Sequence, residues 1–173
     1  MSKLFFLLTL FCVTIAGAQK PVQQKRENFM LVIHGGAGTI LKKNMTAERE
    51  KAYTSGLQNA LKAGYTILSR GGSALDAVEA TVRVMEDNPL FNAGKGAVFT
   101  NEGKNELDAA IMNGKTLAAG SVASVTVIKN PISAARAVME KSDHVMMIGK
   151  GAEKICTAAG IGNSRYKLFL YRR

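Results

Sequence analysis

The residues Asn88-Pro89-Leu90-Phe91-Asn92-Ala93-Gly94-Lys95-Gly96 set an amide side chain, Asn92, inside a turn built by proline and glycines. A tight turn of this composition aims main-chain carbonyls inward, and carbonyl oxygens around a small cavity are hard ligands for a bare monovalent or hard divalent cation. An amide both donates and accepts hydrogen bonds, so Asn92 is equipped to fix a hydroxyl or a water. Taken alone it is equally an ordinary left-handed turn residue.

A second chemistry-bearing loop is His34-Gly35-Gly36-Ala37-Gly38. Its glycines let the backbone come close to a ligand or to another segment, as an oxyanion loop must. An α/β-hydrolase would also need a Gly-x-Ser-x-Gly elbow, and Ser73 and Ser164 each lack the last glycine. Gly36-Ala37-Gly38 lacks the third glycine of a dinucleotide loop, and no helix opens at once. A strand-end turn with a structural histidine is the alternative reading for this segment.

The remaining polar candidates carry less. Asp108 lies inside an apolar run, where a lone carboxylate is usually a hydrogen-bond acceptor for the backbone. Glu79, Glu86, Asp87 and Glu106 offer no pair that spacing places together. His34 and His144 are far apart, no metal-ligand spacing is present, and Cys156 has no recognisable partner.

The elements that must position these loops follow from periodicity. Phe29 to Ile33 is a short apolar run ending in glycines, the pattern of a buried strand that delivers His34 to its loop. Thr46 caps a helix on which Tyr53, Leu57, Ala60, Leu61, Gly64, Tyr65 and Leu68 recur at helical spacing, and Gly71-Gly72 stops it. Ser73, with Asp76 three residues on, caps a second helix faced by Leu75, Val78, Val82 and Met85 and ended by Asn88-Pro89. The period then becomes extended: Ala97 to Thr100 and Leu107 to Met112 form a hairpin across Asn101-Glu102-Gly103-Lys104, and Asn113-Gly114 is a two-residue turn into Ala118 to Ile128. That is an antiparallel meander. Asn130-Pro131 starts a helix with Ile132, Ala135, Val138 and Met139 inward. Val145 to Ile148 is a further strand, and Gly149-Lys150-Gly151 turns into a last helix ending near Gly160. Helices and antiparallel strands in separate blocks make the fold class α+β.

Composition sets the class of partner. Of the charge of +10, from 23 basic and 13 acidic side chains, Lys3 leaves with the signal and Arg165, Lys167, Arg172 and Arg173 supply four, and the rest is scattered over Lys42, Lys43, Lys62, Arg70, Arg83, Lys104, Lys115 and Lys129 rather than striped. Nucleic-acid binding needs a clustered basic surface, so it is excluded. Lys3, the apolar run Leu4 to Ile15 and Ala16-Gly17-Ala18 match an export signal over residues 1–18, too short to span a bilayer, with a polar leader over 19–28. The expected location is periplasmic or secreted, with no membrane contact after cleavage. Cleavage removes Cys12 and leaves Cys156 alone, so no internal disulfide forms.

The two glycine loops and Glu106-Leu107-Asp108-Ala109-Ala110-Ile111-Met112-Asn113-Gly114, in this order, closely resemble the plant-type asparaginase/isoaspartyl peptidase family of N-terminal-nucleophile hydrolases, over residues 29–160. The resemblance implies half of a four-layer αββα sandwich. It implies a structural sodium held by main-chain carbonyls of Met85, Glu86, Asn88, Phe91, Ala93 and Lys95, and Asn92 supporting the nucleophile. It places His34, Gly35, Gly36, Ala37 and Gly38 beside the bond cut in maturation. The nucleophile implied is a threonine, within a Gly-Thr-Val-Gly-like motif that starts the second half and is absent here; Gly38-Thr39-Ile40 belongs to the first loop. The expected protein is an α-subunit portion of a precursor that hydrolyses the β-amide of asparagine or β-aspartyl dipeptides. Its partners are a β subunit from the second half, in an (αβ)2 dimer, and a small-molecule substrate. No organic cofactor is implied. Residues 161–173, basic and aromatic, depart from the family and are expected to come from a frameshifted or prematurely ended frame. The rival is a non-catalytic truncated product or a small-ligand-binding domain.

Overall fold

The computed structural model describes residues 28–36 and 41–161. The expected signal segment 1–18, nearly all of the expected leader, Ala37 and Gly38 of the first loop, Thr39-Ile40 and residues 162–173 lie outside the described residues.

Helix α1 spans Ala47–Ser69 and α2 Ala74–Glu86. Each starts where its cap predicts: the Thr46 side chain accepts from Arg49 N–H, and that of Ser73 from Asp76 N–H. Between them Gly71, at φ +81°, takes the left-handed turn that ends α1. The seam between the two helices is built from small residues. Gly56, Ala60 and Gly64 are the buried positions of α1, and Ala77 and Thr81 are buried on α2. A methyl on Gly64 would strike the Thr81 hydroxyl. Leu61, Tyr65 and Val78, expected inward from their spacing, stand exposed, because backbones that approach this closely leave no room for large side chains in the seam.

Strands β1 (Leu107–Met112), β2 (Ala119–Val125) and β3 (Met146–Ile148) form one sheet in that order. β1 and β2 are antiparallel, but β3 runs parallel to β2. The expectation of wholly antiparallel pairing fails here because helix α3 (Pro131–Lys141) lies between β2 and β3 and returns the chain to the starting end. Helix α4 (Gly149–Ala158) follows β3 directly and includes the Gly149-Lys150-Gly151 expected as a turn.

α3 and α4 cover one sheet face. Leu107, Ile111, Val122, Val125, Ile132, Val138 and Cys156 close that core, and α3 comes close enough at Gly120 for a methyl there to strike Ala135 O and Met139 N. Met112, Met146 and Ile148 remain exposed. The architecture is thus mixed helix and sheet, with four α-helices and a three-stranded open sheet among the described residues.

Three expected strand features differ. Phe29 to Ile33 is extended and alternates in burial, with Leu31 against Gly64 and the Phe29 ring 5.5 Å from that of Tyr65, but it pairs with no strand among the described residues. Met30 and Val32 are consequently 86% and 79% exposed. Ala97 to Thr100 does not pair as a hairpin arm either, because the Asn105 amide donates to the carbonyls of Ala97 and Val98, which a partner strand would otherwise use. The connection after β1 is longer than two residues: Asn113 N–H donates to Ala118 O, and Leu117 takes φ +61° between them.

Candidate functional site

The loop after α2 is fixed by its own backbone. Asn88 N–H donates to Met85 O, the Asn88 side chain accepts from Leu90 N–H at 3.0 Å, and Phe91 N–H donates to Asn88 O. A short 3-10 turn at Gly94–Gly96 closes it. Gly94 sits at φ +49°, which glycine tolerates, and an ideal Cβ on it would lie 2.5 Å from Glu86 O. A Cβ on Gly96 would strike Phe91 O and come within 2.7 Å of Pro89 O. The glycines thus form a cradle that only a residue without a side chain can enter, with the Glu86 and Phe91 carbonyls at its wall.

A main-chain-held cation fits this arrangement. Two of the six carbonyls expected as ligands border these glycines, that of Glu86 beside Gly94 and that of Phe91 beside Gly96. Those of Met85, Asn88 and Ala93 each accept a backbone N–H and keep a second lone pair. Among the described residues no group of three or more His, Cys, Asp or Glu side chains could hold a metal.

Asn92 is exposed, and its Oδ1 accepts the Val98 N–H at 2.9 Å. This bond fixes the amide orientation, since Val98 N–H needs an acceptor. The Nδ2 donors point to no partner among the described residues. On the other side of the backbone the Phe91 ring is buried, 4% exposed, against Gly35 and Gly56 and edge-on to Tyr53 at 6.0 Å. The structure therefore brings the His34–Gly36 segment to the Asn92 loop. His34 itself is exposed.

Two carboxylates gain roles that spacing did not reveal. Glu86 is 2% exposed, and its Oε1 accepts the Ile132 N–H at 3.0 Å, while Oε2 has no partner among the described residues. Burial pushes this carboxyl up to about 7, against the lowering effect of the Ile132 hydrogen bond. Neighbouring Asp87 meets Lys129 Nζ at 2.9 Å and the Asn130 amide at 3.2 Å. Both carboxylates thus sit at the N-terminus of α3, where the helix dipole favours negative charge. The only sequence signal was the acidic pair beside a helix end.

Asp108 proves to be a backbone acceptor. A bulge between β1 and β2 leaves Ser124 at φ +51°, and Asp108 Oδ1 takes its N–H at 2.8 Å. Arg136 on α3 gathers Asp76, Glu79 and Glu140 and so ties α3 to α2. Its three carboxylates are satisfied by the guanidinium and offer no separate acid or base.

A family model described as Asparaginase matches residues 27–172. The chain belongs to the asparaginase family. Within the plant-type L-asparaginase/isoaspartyl peptidase group it is 55% identical over 130 residues to the plant-type L-asparaginase of Thermococcus kodakarensis, covering 75% of this chain and 41% of that protein. It is 48% identical over 140 residues to the isoaspartyl peptidase of Escherichia coli K12, covering 81% and 44%. It is 46% identical over 132 residues to the isoaspartyl peptidase/L-asparaginase of Danio rerio, covering 76% and 41%. The chain spans less than half the length of these asparaginase relatives. The family match also takes in residues 161–172, the stretch that its composition sets apart. Among the described residues no helix is long and apolar enough to cross a membrane.

Proposed function

We propose that this chain is the α-subunit portion of an isoaspartyl peptidase/L-asparaginase precursor, hydrolysing the β-amide of asparagine or of β-aspartyl dipeptides once joined to its second half. In this reading the described sheet is half of a four-layer αββα sandwich. The exposed Met112, Met146 and Ile148 then face the half that completes it. The complete protein is an (αβ)2 dimer, exported by the 1–18 signal to the periplasm or the cell exterior.

The chemistry needs a threonine freed by cleavage of the precursor and supplied by the second half. Its hydroxyl attacks the side-chain carbonyl carbon, its own α-amine takes the hydroxyl proton, and the C–N bond breaks to release ammonia or an amine. Water then cleaves the acyl ester and regenerates the threonine. Asn92 contributes two N–H donors for the threonine hydroxyl or the developing oxyanion, its acceptor end being occupied by Val98 N–H. Gly35 and Gly36 leave room for the scissile segment, and His34 to Gly38 act as support.

A sodium ion held by carbonyls of Met85, Glu86, Asn88, Phe91, Ala93 and Lys95 would stiffen the loop electrostatically. The observation that carries the reading is the fixed Asn92 amide on a glycine cradle of that shape. The test is turnover of asparagine and β-aspartyl-leucine by the purified chain, with and without a separately expressed second half of a relative. Turnover only in the combination supports the proposal; turnover by the chain unaided, or in neither case, defeats it.

A further inference from the structure

α1 carries Gly56 in its interior, where glycine is about 1 kcal/mol worse than alanine. Gly35, the second residue of the His34-to-Gly38 loop, likewise has no left-handed φ to justify it. What the two share is one neighbour. An ideal Cβ on Gly35 would lie 2.9 Å from Leu57 Cδ2 and 3.3 Å from Phe91 Cε1, and one on Gly56 would lie 2.8 Å from Asn88 Nδ2, 3.2 Å from Cε2 and 3.3 Å from Cζ of the same ring. The glycines come from different segments and meet opposite edges of one buried side chain. Tyr53 closes another side edge-on, its ring nearly perpendicular at 77°.

Phe91 is adjacent in the chain to Asn92, whose amide is pinned by Val98 N–H on the solvent side of the loop. The loop is therefore held from both sides. We propose that the Phe91 ring, wedged between Gly35 and Gly56, is a positioning residue that locks the His34–Gly36 segment and the Asn92 loop into one rigid body. Its catalytic consequence rests on the function proposed above; the mechanical coupling does not. A ring so enclosed transmits displacement because a packed interior gives way in steps rather than smoothly. Phe91 needs no contact with substrate to act, since a shift of about 1 Å in a group that orients a nucleophile can cost about a hundredfold in rate.

The test has two arms. In the chain itself, hydrogen exchange is followed by NMR for wild type, Phe91→Leu, Phe91→Ala and Gly35→Ala. Amides of β1, β2 and α3 report whether the variant folds, and Phe91→Leu decides the matter if Phe91→Ala does not. The expected result is exchange about tenfold faster at Val98 in Phe91→Leu, with the sheet amides unchanged. Gly35→Ala should show the same pattern. Gly35→Ala/Phe91→Leu should be less perturbed than the product of the single effects, because the smaller side chain makes room for the methyl. In the reconstituted enzyme, Phe91→Leu should lower kcat by about tenfold with KM within about threefold. Unchanged exchange at Val98, or independent effects of the two substitutions, overturns the coupling. Absence of turnover in the wild-type reconstitution defeats the proposed function and leaves the exchange arm to decide this inference.

Discussion

The Glu86 carboxylate, at the last turn of α2, takes the Ile132 N–H that Asn130 would ordinarily cap, and so joins the Asn92 loop to α3. Asn130 is turned instead to Asp87. One residue thus serves two layers: its carbonyl lies at the glycine cradle, and its side chain ends a helix on the sheet.

Replacing that side chain separates hydrogen bonding from charge. Glu86→Ala leaves the buried Ile132 N–H without its acceptor and opens a cavity, and should destabilise the chain by roughly 2–4 kcal/mol. Glu86→Gln keeps an acceptor of the same shape and should cost less than about 1.5 kcal/mol. Urea unfolding of the two variants measures this; equal losses would mean that the cap contributes nothing.

The cradle should respond to sodium. At a concentration about tenfold above its dissociation constant, an ion bound only by the folded chain stabilises it by about 1.4 kcal/mol. The unfolding midpoint should therefore be higher in sodium chloride than in choline chloride at equal ionic strength. Gly94→Ala, strained at φ +49° and driven against Glu86 O, should lower stability and abolish the difference. Equal midpoints for wild type in the two salts would exclude an ion in this loop.

Arg136 joins α3 to α2 through Asp76 at 2.6 Å and Glu79 at 2.9 Å, with its own side chain 22% exposed. Arg136→Met keeps most of the stem and strands the charge of Glu79, whose side chain is 17% exposed. A loss on the order of 2 kcal/mol is expected, less than for a fully buried pair because Asp76 and Glu140 remain in contact with water. Urea titration at low and high salt checks it, and a loss below about 0.5 kcal/mol would place the cluster with ordinary surface pairs.

Cys156 is 1% exposed, and burial, assisted by the charge of Glu153, pushes its thiol up. The thiolate reacts and the thiol does not, so labelling by an aromatic disulfide at pH 8 should be at least about a hundredfold slower in the folded chain than in urea. The folded rate should still be climbing above pH 9. Rapid labelling of the folded chain would show that α4 opens readily.

Much of the fold was legible where local chemistry decides it. The caps at Thr46 and Ser73, the glycine stop at Gly71 and the proline start of α3 depend on neighbours in sequence, and each lies where its residues put it. What escaped depends on distant partners. Gly56, buried against Asn88 and Phe91, gives no hydrophobic signal, and the parallel pairing of β3 is set by the α3 crossover. Of the site, the turn that carries Asn92 could be read from proline and glycine. The Val98 bond, the Glu86 cap and the Phe91 wedge could not, because each joins residues whose types alone predict no contact.

The central claim is that the donor end of the Asn92 amide serves the nucleophile, and Asn92→Asp tests it most directly. That substitution keeps an oxygen for Val98 N–H and removes the donors. In the reconstituted enzyme kcat for asparagine should fall by about 10²–10³, while Val98 amide exchange stays at the wild-type rate. A rate within about threefold of wild type, with the loop intact, would contradict the account.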